Sequence, residues 1–415
     1  LWTLVALTLA PFFVVSAGSW MVPDGPLVLF LALTARLLVE ILFFAPDAVR
    51  ERRLWLATGL TLGLAGLSKY HAALFALGAL AFILTSSHRR RLTNGGPWLA
   101  ALIASVVASP VLIWNAGNDW VSFVFQSSRG AGRNGISWSG LGRAMLGQMA
   151  YLGPWTLVAA AAAAVSRQRA DRKHAGPGTF LVALALPPIV IFTAVPLWGG
   201  DALPHWQTAG WLFLLPILGR AIAEAEARRA APSRLALGFA VVNTALLALA
   251  IAAVAVFRAL PPSPAIIARL RISGFLEESV TWRGLAASLA ERGLLAAASS
   301  RMAPQDRPLV VAFHWIEAAR LAEALGPQVT VSVFGRDPRG FAFLVDPAAW
   351  IGRDVLLIGR PKTFARGLEA VRPLFSRIDL QAPLAVKVGD TILFETHMAI
   401  GRSLTSPYPL PYPRR

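Results

Sequence analysis

The sequence predicts a polytopic α-helical membrane protein that ends in a small α/β domain outside the membrane, and three observations lead there. Of its 415 residues 56% are hydrophobic and only 15% charged, and the mean hydropathy is +0.58, too apolar for one soluble domain. Short Lys and Arg clusters recur between the apolar segments, as the orientation determinants of membrane spans do. From residue 258 onward the composition changes to short β-rich runs alternating with helical patterns. The net charge of +17 is dispersed over these separate clusters, which argues against nucleic acid as a partner. Cysteine is absent, so disulfides, thiol catalysis and Cys-ligated metals are excluded.

The reading divides the chain into a membrane domain of about nine spans, residues 1–257, and an extracytoplasmic domain, residues 258–415. Residues 1–17 form a first span or its remnant. The chain starts at Leu1 inside this apolar segment without an initiator Met, which leads us to expect an N-terminally incomplete form. A loop carrying Asp24 follows, and residues 26–44 return, with Arg36 and Glu40 one helical turn apart and able to pair. Residues 98–113 run outward and residues 141–165 inward, with a kink expected at Gly153 and Pro154. Residues 179–197, 206–222 and 235–257 complete the set. Arg167, Arg169, Arg172 and Lys173 hold one connection on the cytoplasmic side, and Arg228, Arg229 and Arg234 another.

The run from Leu54 to Leu84 organises the rest. As a single helix it would be about 46 Å long, against a hydrocarbon core of about 30 Å, with Lys69 near its middle. Arg50, Arg52 and Arg53 precede it, and Arg89, Arg90 and Arg91 follow it. Both ends therefore face the cytoplasm, and the run is a helical hairpin whose tip is Lys69, Tyr70 and His71. Arms of about 24 Å leave that tip slightly below the far surface, inside protein, and Gly63 and Gly66 permit close helix packing. A recessed lysine suits a phosphate.

In the domain beyond residue 258, Pro261, Pro262 and Pro264 form a linker. Residues 309–313, 329–334 and 355–358 read as strands, residues 315–325 and 362–374 as helices, and the Pro-rich tail from Ser406 as extended.

By topology the outer loops gather Asp24, the Lys69–His71 tip, the segment holding Trp114, Asn115, Asp119, Trp120, Gln126 and Arg129, and the pair His205 and Trp206. Aromatic platforms with amide, acid and guanidinium neighbours suit a sugar, whose faces stack and whose hydroxyls need polar partners. Plainer readings fit the same residues. Asp24 also suits a helix N-cap, Lys69 an interfacial anchor, and the aromatics a membrane-interface belt. No pair of histidines has zinc-ligand spacing, and a divalent cation at Asp24 is the only cofactor the pattern leaves room for.

These residues carry a resemblance. Pro23 to Leu27, Gly63 to Tyr70, Pro110 with Trp114, Asn115, Asp119, Trp120, Ser122, Phe123 and Gln126, and Pro204 to Trp206 resemble bacterial glycosyltransferase family 39. That family consists of GT-C enzymes related to protein O-mannosyltransferases and to the aminoarabinose transferase of lipid A. The resemblance covers Leu1 to about Phe257. It implies a GT-C-like bundle in the bacterial inner membrane, working on the outer face. The donor would be a polyprenyl-phosphate-linked sugar, transferred with inversion to an envelope glycan, lipid or protein. In such enzymes an acid of the first outer loop acts as base and lies before the region aligned here. Asp24 matches the second acidic position.

Two rival classes fit part of the pattern: a transporter or flippase of lipid-linked sugars, and a non-catalytic membrane subunit. Transporters place polar groups at mid-membrane in repeated halves. This chain keeps them at one face without a duplicated half, which favours the transferase.

Overall fold

The computed structural model describes residues 1–19, 22–44, 46–130, 135–170, 175–200, 202–228, 231–259, 282–295, 307–344, 346–388 and 391–409. Two compact units divide between Ala248 and Leu249. Pro261, Pro262 and Pro264, the loop residues Arg172, Lys173 and Arg229, and the last six residues of the tail lie outside the described residues.

In the first unit, α1 (Trp2–Leu9) leads through a wide turn at Phe12–Ser16 to α2 (Asp24–Phe43). Next come α3 (Ala48–Ser68), α4 (Ala72–Thr85), α5 (Gly95–Ala116) and α6 (Val121–Gly130). They are followed by α7 (Trp138–Leu152), α8 (Pro154–Ala170), α9 (Pro177–Leu197), α10 (Thr208–Ala227) and α11 (Ala231–Ala259). Among the described residues four helices are long and apolar enough to cross a membrane, or up to six if each of two bent pairs is one span. The α7–α8 pair bends by 97° at Gly153 and Pro154. Gly153 takes φ 85°, and the proline cannot donate the next helical hydrogen bond. On α5 the outward residues Leu102, Val106 and Ile113 are each more than 60% exposed, an apolar stripe of the kind a membrane-spanning helix turns to lipid.

The Leu54–Leu84 run is broken where the charge interrupts it. Asp47 caps α3 by accepting from the Arg50 amide at 2.9 Å, and the helix ends at Lys69, whose backbone is extended. The two arms take different neighbours: α3 packs between α2 and α5, whereas α4 packs on α9. Glycine makes the α3–α5 approach possible. A Cβ on Gly59 would lie 2.6 Å from the Ala100 carbonyl oxygen, and one on Gly63 2.6 Å from the Val107 Cβ, so these two residues form the close seam. Thr34 on α2 ties to α3 by donating to the Thr61 hydroxyl at 2.8 Å. At the arginine-bearing end Glu40 pairs with Arg50 rather than with Arg36, and Glu51 pairs with Arg91 at 2.7 Å. Arg36 points outward from α2, and the loop brings the nearer guanidinium.

The second unit contains α12 (Arg283–Glu291), β1 (Leu309–Ala312), α13 (Trp315–Leu325), β2 (Thr330–Val333), β3 (Val355–Gly359) and α14 (Pro361–Val371). The long strands β4 (Phe375–Val388) and β5 (Thr391–Leu404) complete it. The sheet order is β2-β1-β3-β5-β4, parallel across the first three strands and antiparallel beyond. β1 and β3 are buried along their whole length, as the parallel core of an α/β sheet must be. One face packs on Trp282, Leu285 and Leu321, the other on Trp350, Phe364 and Leu368. The register of β4 on β5 shifts between Gln381 and Leu384, where Pro383 lacks an amide to donate. Tyr408 of the tail stacks on Phe334 with centroids 4.5 Å apart.

Candidate active site

Two helix ends meet at the hairpin tip. Asp24 is the first residue of α2, one position inside the helix rather than its N-cap, and the structure shows no side-chain capping bond there. Lys69 closes the C-terminal end of α3. The ammonium donates to Asp24 Oδ1 at 2.8 Å, and both side chains are largely buried. Each charge suits its helix: an acid is favoured at the positive N-terminus and a cation at the negative C-terminus. The pair brings a fixed cation to the tip without burying a net charge.

A second group fixes the tip laterally. Asn115, fully buried at the end of α5, accepts from the Ser122 hydroxyl at 2.5 Å and from its amide at 3.3 Å. With that proton committed, the Tyr70 hydroxyl is the donor in its 2.6 Å bond to Ser122 Oγ, and it accepts from Asn115 Nδ2 at 3.4 Å. The Tyr70 ring stacks on Phe123, 4.8 Å between centroids. The chain reverses from α5 into α6 through Asp119 and Trp120, both left-handed at φ 51° and 56°, and the Trp120 amide donates to the Asn115 carbonyl at 2.9 Å. Two successive non-glycine residues in that region are strained, and Asn115 is the group that holds the reversal.

The third group is aromatic. His71 stacks on Phe192 at 4.7 Å and meets Trp206 edge-on at 6.1 Å, while the Arg129 guanidinium lies over the Trp206 ring at 5.0 Å. His205 turns instead toward Phe12 and Tyr151, 6.4 and 6.2 Å away. Lys69 and His205 both act electrostatically on His71, and Asp24 and Arg129 on His205, so these five groups form one neighbourhood.

Of the residues singled out from sequence, Asp24, Lys69, Tyr70, His71, Asn115, Arg129, His205 and Trp206 thus come together. Trp114 and Trp120 are about half exposed, Gln126 is exposed on α6, and Asp119 occupies the strained turn. Phe192 was not anticipated, because an aromatic inside an apolar span carries no signal. Gln148 and Gln207, both buried, were also missed. Gln148 accepts from Trp211 Nε1 at 3.0 Å and donates to the Pro204 carbonyl, which sets the turn that presents His205 and Trp206. A lone amide inside an apolar helix was the available signal. No group of three or more His, Asp or Glu able to hold a metal occurs among the described residues.

The multi-pass helical bundle, with its charged site at the helix ends, and the small α/β unit give the chain a GT-C-like fold. Residues 1–114, which include the Asp24–Lys69 pair, match the family described as dolichyl-phosphate-mannose-protein mannosyltransferase. The fold matches the crystal structure of ArnT from Cupriavidus metallidurans bound to undecaprenyl phosphate, at TM-score 0.59 and 15% identity over 98% of this chain and 79% of that one. The apo form of the same protein gives 0.57 and 16% over the same spans. No curated protein matches the chain by sequence.

Proposed function

We propose that the chain is a membrane glycosyltransferase that moves a sugar from a polyprenyl-phosphate carrier to an acceptor hydroxyl on the outer face of the bacterial inner membrane. The observation that carries this reading is the buried Lys69–Asp24 pair at the hairpin tip, inside the region that matches the mannosyltransferase family. A solved protein of the same fold binds undecaprenyl phosphate, a lipid of the carrier class that departs in the step proposed here.

In the proposed step the acceptor oxygen attacks the anomeric carbon, the bond from that carbon to the lipid phosphate breaks, and the configuration inverts. Negative charge grows on the departing phosphate, and the Lys69 ammonium, held in place by Asp24, stabilises it more in the transition state than in the ground state. Arg129, laid against Trp206, is the second cation in reach of the same neighbourhood. Asp24 anchors Lys69 and takes the acceptor proton where a hydroxyl comes within hydrogen-bond reach. Tyr70, Asn115 and Ser122 keep the tip rigid. The half-exposed rings of Trp114 and Trp120 offer faces for sugar or acceptor, with Asp119 and Gln126 on the same segment, while His71 and Trp206 pack beneath Phe192 and Arg129. The α/β unit lies outside the membrane in this reading, and the acceptor is an envelope glycan, lipid or protein.

The test is transfer in membranes supplied with a labelled polyprenyl-phosphate sugar. Label passing to an acceptor, and falling by about 100-fold or more in Lys69→Ala, supports the reading, since loss of one transition-state charge partner has effects of that size. Label that crosses the bilayer unchanged, or transfer untouched by Lys69→Ala, refutes it.

A further inference from the structure

The α/β unit contains a cavity of about 590 Å³ that plays no part in the site above. Its position follows from the sheet order. β1 connects through α13 to β2 on one side, whereas β3 lies on the other side of β1. The strand order thus reverses between β1 and β3, and the crevice beyond their carboxyl ends is where open α/β sheets accept ligands. Here both following helices begin at that crevice. α13 starts at His314, and α14 starts at Arg360 with Lys362 and Thr363 in its first turn, all four of them lining the cavity. Two helix N-termini with Lys362 and Arg360 between them make one wall attractive to an anion.

The opposite chemistry sits beside it. Glu317, in the first turn of α13, is 2% exposed. Its Oε1 accepts from the Thr363 hydroxyl at 2.8 Å and faces Arg360 at 3.6 Å, the Arg360 amide is a further donor to the carboxylate, and Oε2, also buried, makes no close hydrogen bond. A buried carboxylate oxygen without a close donor is costly and gains from a hydroxyl brought to it. Glu395 on β5 adds an exposed carboxylate, and the Phe394 ring, half-buried with the Arg360 guanidinium 5.8 Å from its centroid, adds an apolar surface. A ligand that satisfies this wall set is anionic at one end, carries hydroxyl donors at the other, and offers an apolar face between them.

We propose that this crevice binds a phosphorylated monosaccharide, with the phosphate at Arg360, Lys362 and the two helix starts and the sugar hydroxyls on Glu317 and Glu395. The site shares no residue with the membrane site, so it stands or falls separately from the transferase reading.

The experiment is calorimetric titration of the full chain in detergent with glucose 1-phosphate, and with inorganic phosphate and glucose separately. Glucose 1-phosphate binds more tightly than either fragment, and Lys362→Glu, an exposed substitution that leaves the Glu317 contacts in place, weakens it by about tenfold, the loss expected from a charge-assisted contact. Arg360→Gln weakens it further, and Lys69→Ala leaves it unchanged. No binding, phosphate alone binding equally well, indifference to Lys362→Glu, or loss in Lys69→Ala would each overturn the proposal.

Discussion

Asp24 and Lys69, 45 residues apart in the chain, meet at 2.8 Å where the start of one helix touches the end of another. Neither charge is fixed by its own helix alone. The pair exists because α2 and α3 pack side by side, with Thr34 bonded to Thr61 between them.

Breaking that pair from one side strands a charge. Lys69→Ala or Asp24→Ala alone is expected to lower stability by about 3 kcal/mol, the usual cost of an uncompensated buried ion. The double variant loses less than the sum, with a coupling of about 1–3 kcal/mol. Denaturant unfolding in detergent, followed by tryptophan fluorescence, measures it, and strict additivity would show that the two charges do not interact.

Asn115 and Tyr70 belong to one network but carry different weight. Tyr70→Phe removes a single hydroxyl and costs about 1 kcal/mol. Asn115→Ala leaves the main-chain carbonyl of the turn in place but takes away the acceptor for both the amide and the hydroxyl of Ser122, and costs about 2–3 kcal/mol. Thermal unfolding of the two variants side by side gives the order, and equal midpoints would contradict it.

Glycine positions separate packing from propensity. Gly63→Val forces atoms into Val107 and is expected to destabilise by about 1–3 kcal/mol or more. Gly95→Ala, where an added Cβ meets nothing within 4 Å, is expected to be neutral or stabilising by up to about 1 kcal/mol. A destabilised Gly95→Ala with an unaffected Gly63→Val would mean that the α3–α5 seam is drawn wrongly.

Glu317 gives the α/β unit a pH dependence. Burial pushes its carboxyl above the ordinary value of 4.5, and the Thr363 hydroxyl and Arg360 oppose the rise without cancelling it. A group whose folded value is raised contributes stability that is complete below the unfolded value and is lost as pH climbs through the folded one. The difference in melting temperature between the native chain and Glu317→Gln therefore shrinks or reverses as pH climbs from the ordinary carboxyl value of 4.5 upward. A difference that is flat across that window would show that Glu317 is not raised.

How much was legible in the sequence differs from residue to residue. The break at Lys69 could be read because a charge in a run longer than the bilayer has only one inexpensive place to go. Its pairing with Asp24 could not, since topology put both on one face but only helix packing sets the distance. Glu40 shows the same limit: helical spacing offered Arg36, and the loop delivered Arg50. The parallel strands announced themselves as continuous apolar runs. β4 and β5 were missed because polar side chains such as Arg377, Asp379 and Gln381 dilute the pattern, and pairing with a neighbour strand supplies what local propensity lacks. Phe192 and the exposure of Trp114 and Trp120 depend on which way a helix is rotated, which this sequence does not state.

The account rests on the hairpin tip and the arginine turns lying on opposite sides of the membrane. The chain has no cysteine, so each introduced thiol is unique. Ser127→Cys, exposed on α6 near the tip, and Ser87→Cys, exposed beside Arg89–Arg91, are labelled with a membrane-impermeant maleimide in intact cells. The account predicts that Ser127→Cys reacts at once and Ser87→Cys only after the cells are lysed. Both reacting in intact cells, or the reverse order, would contradict it.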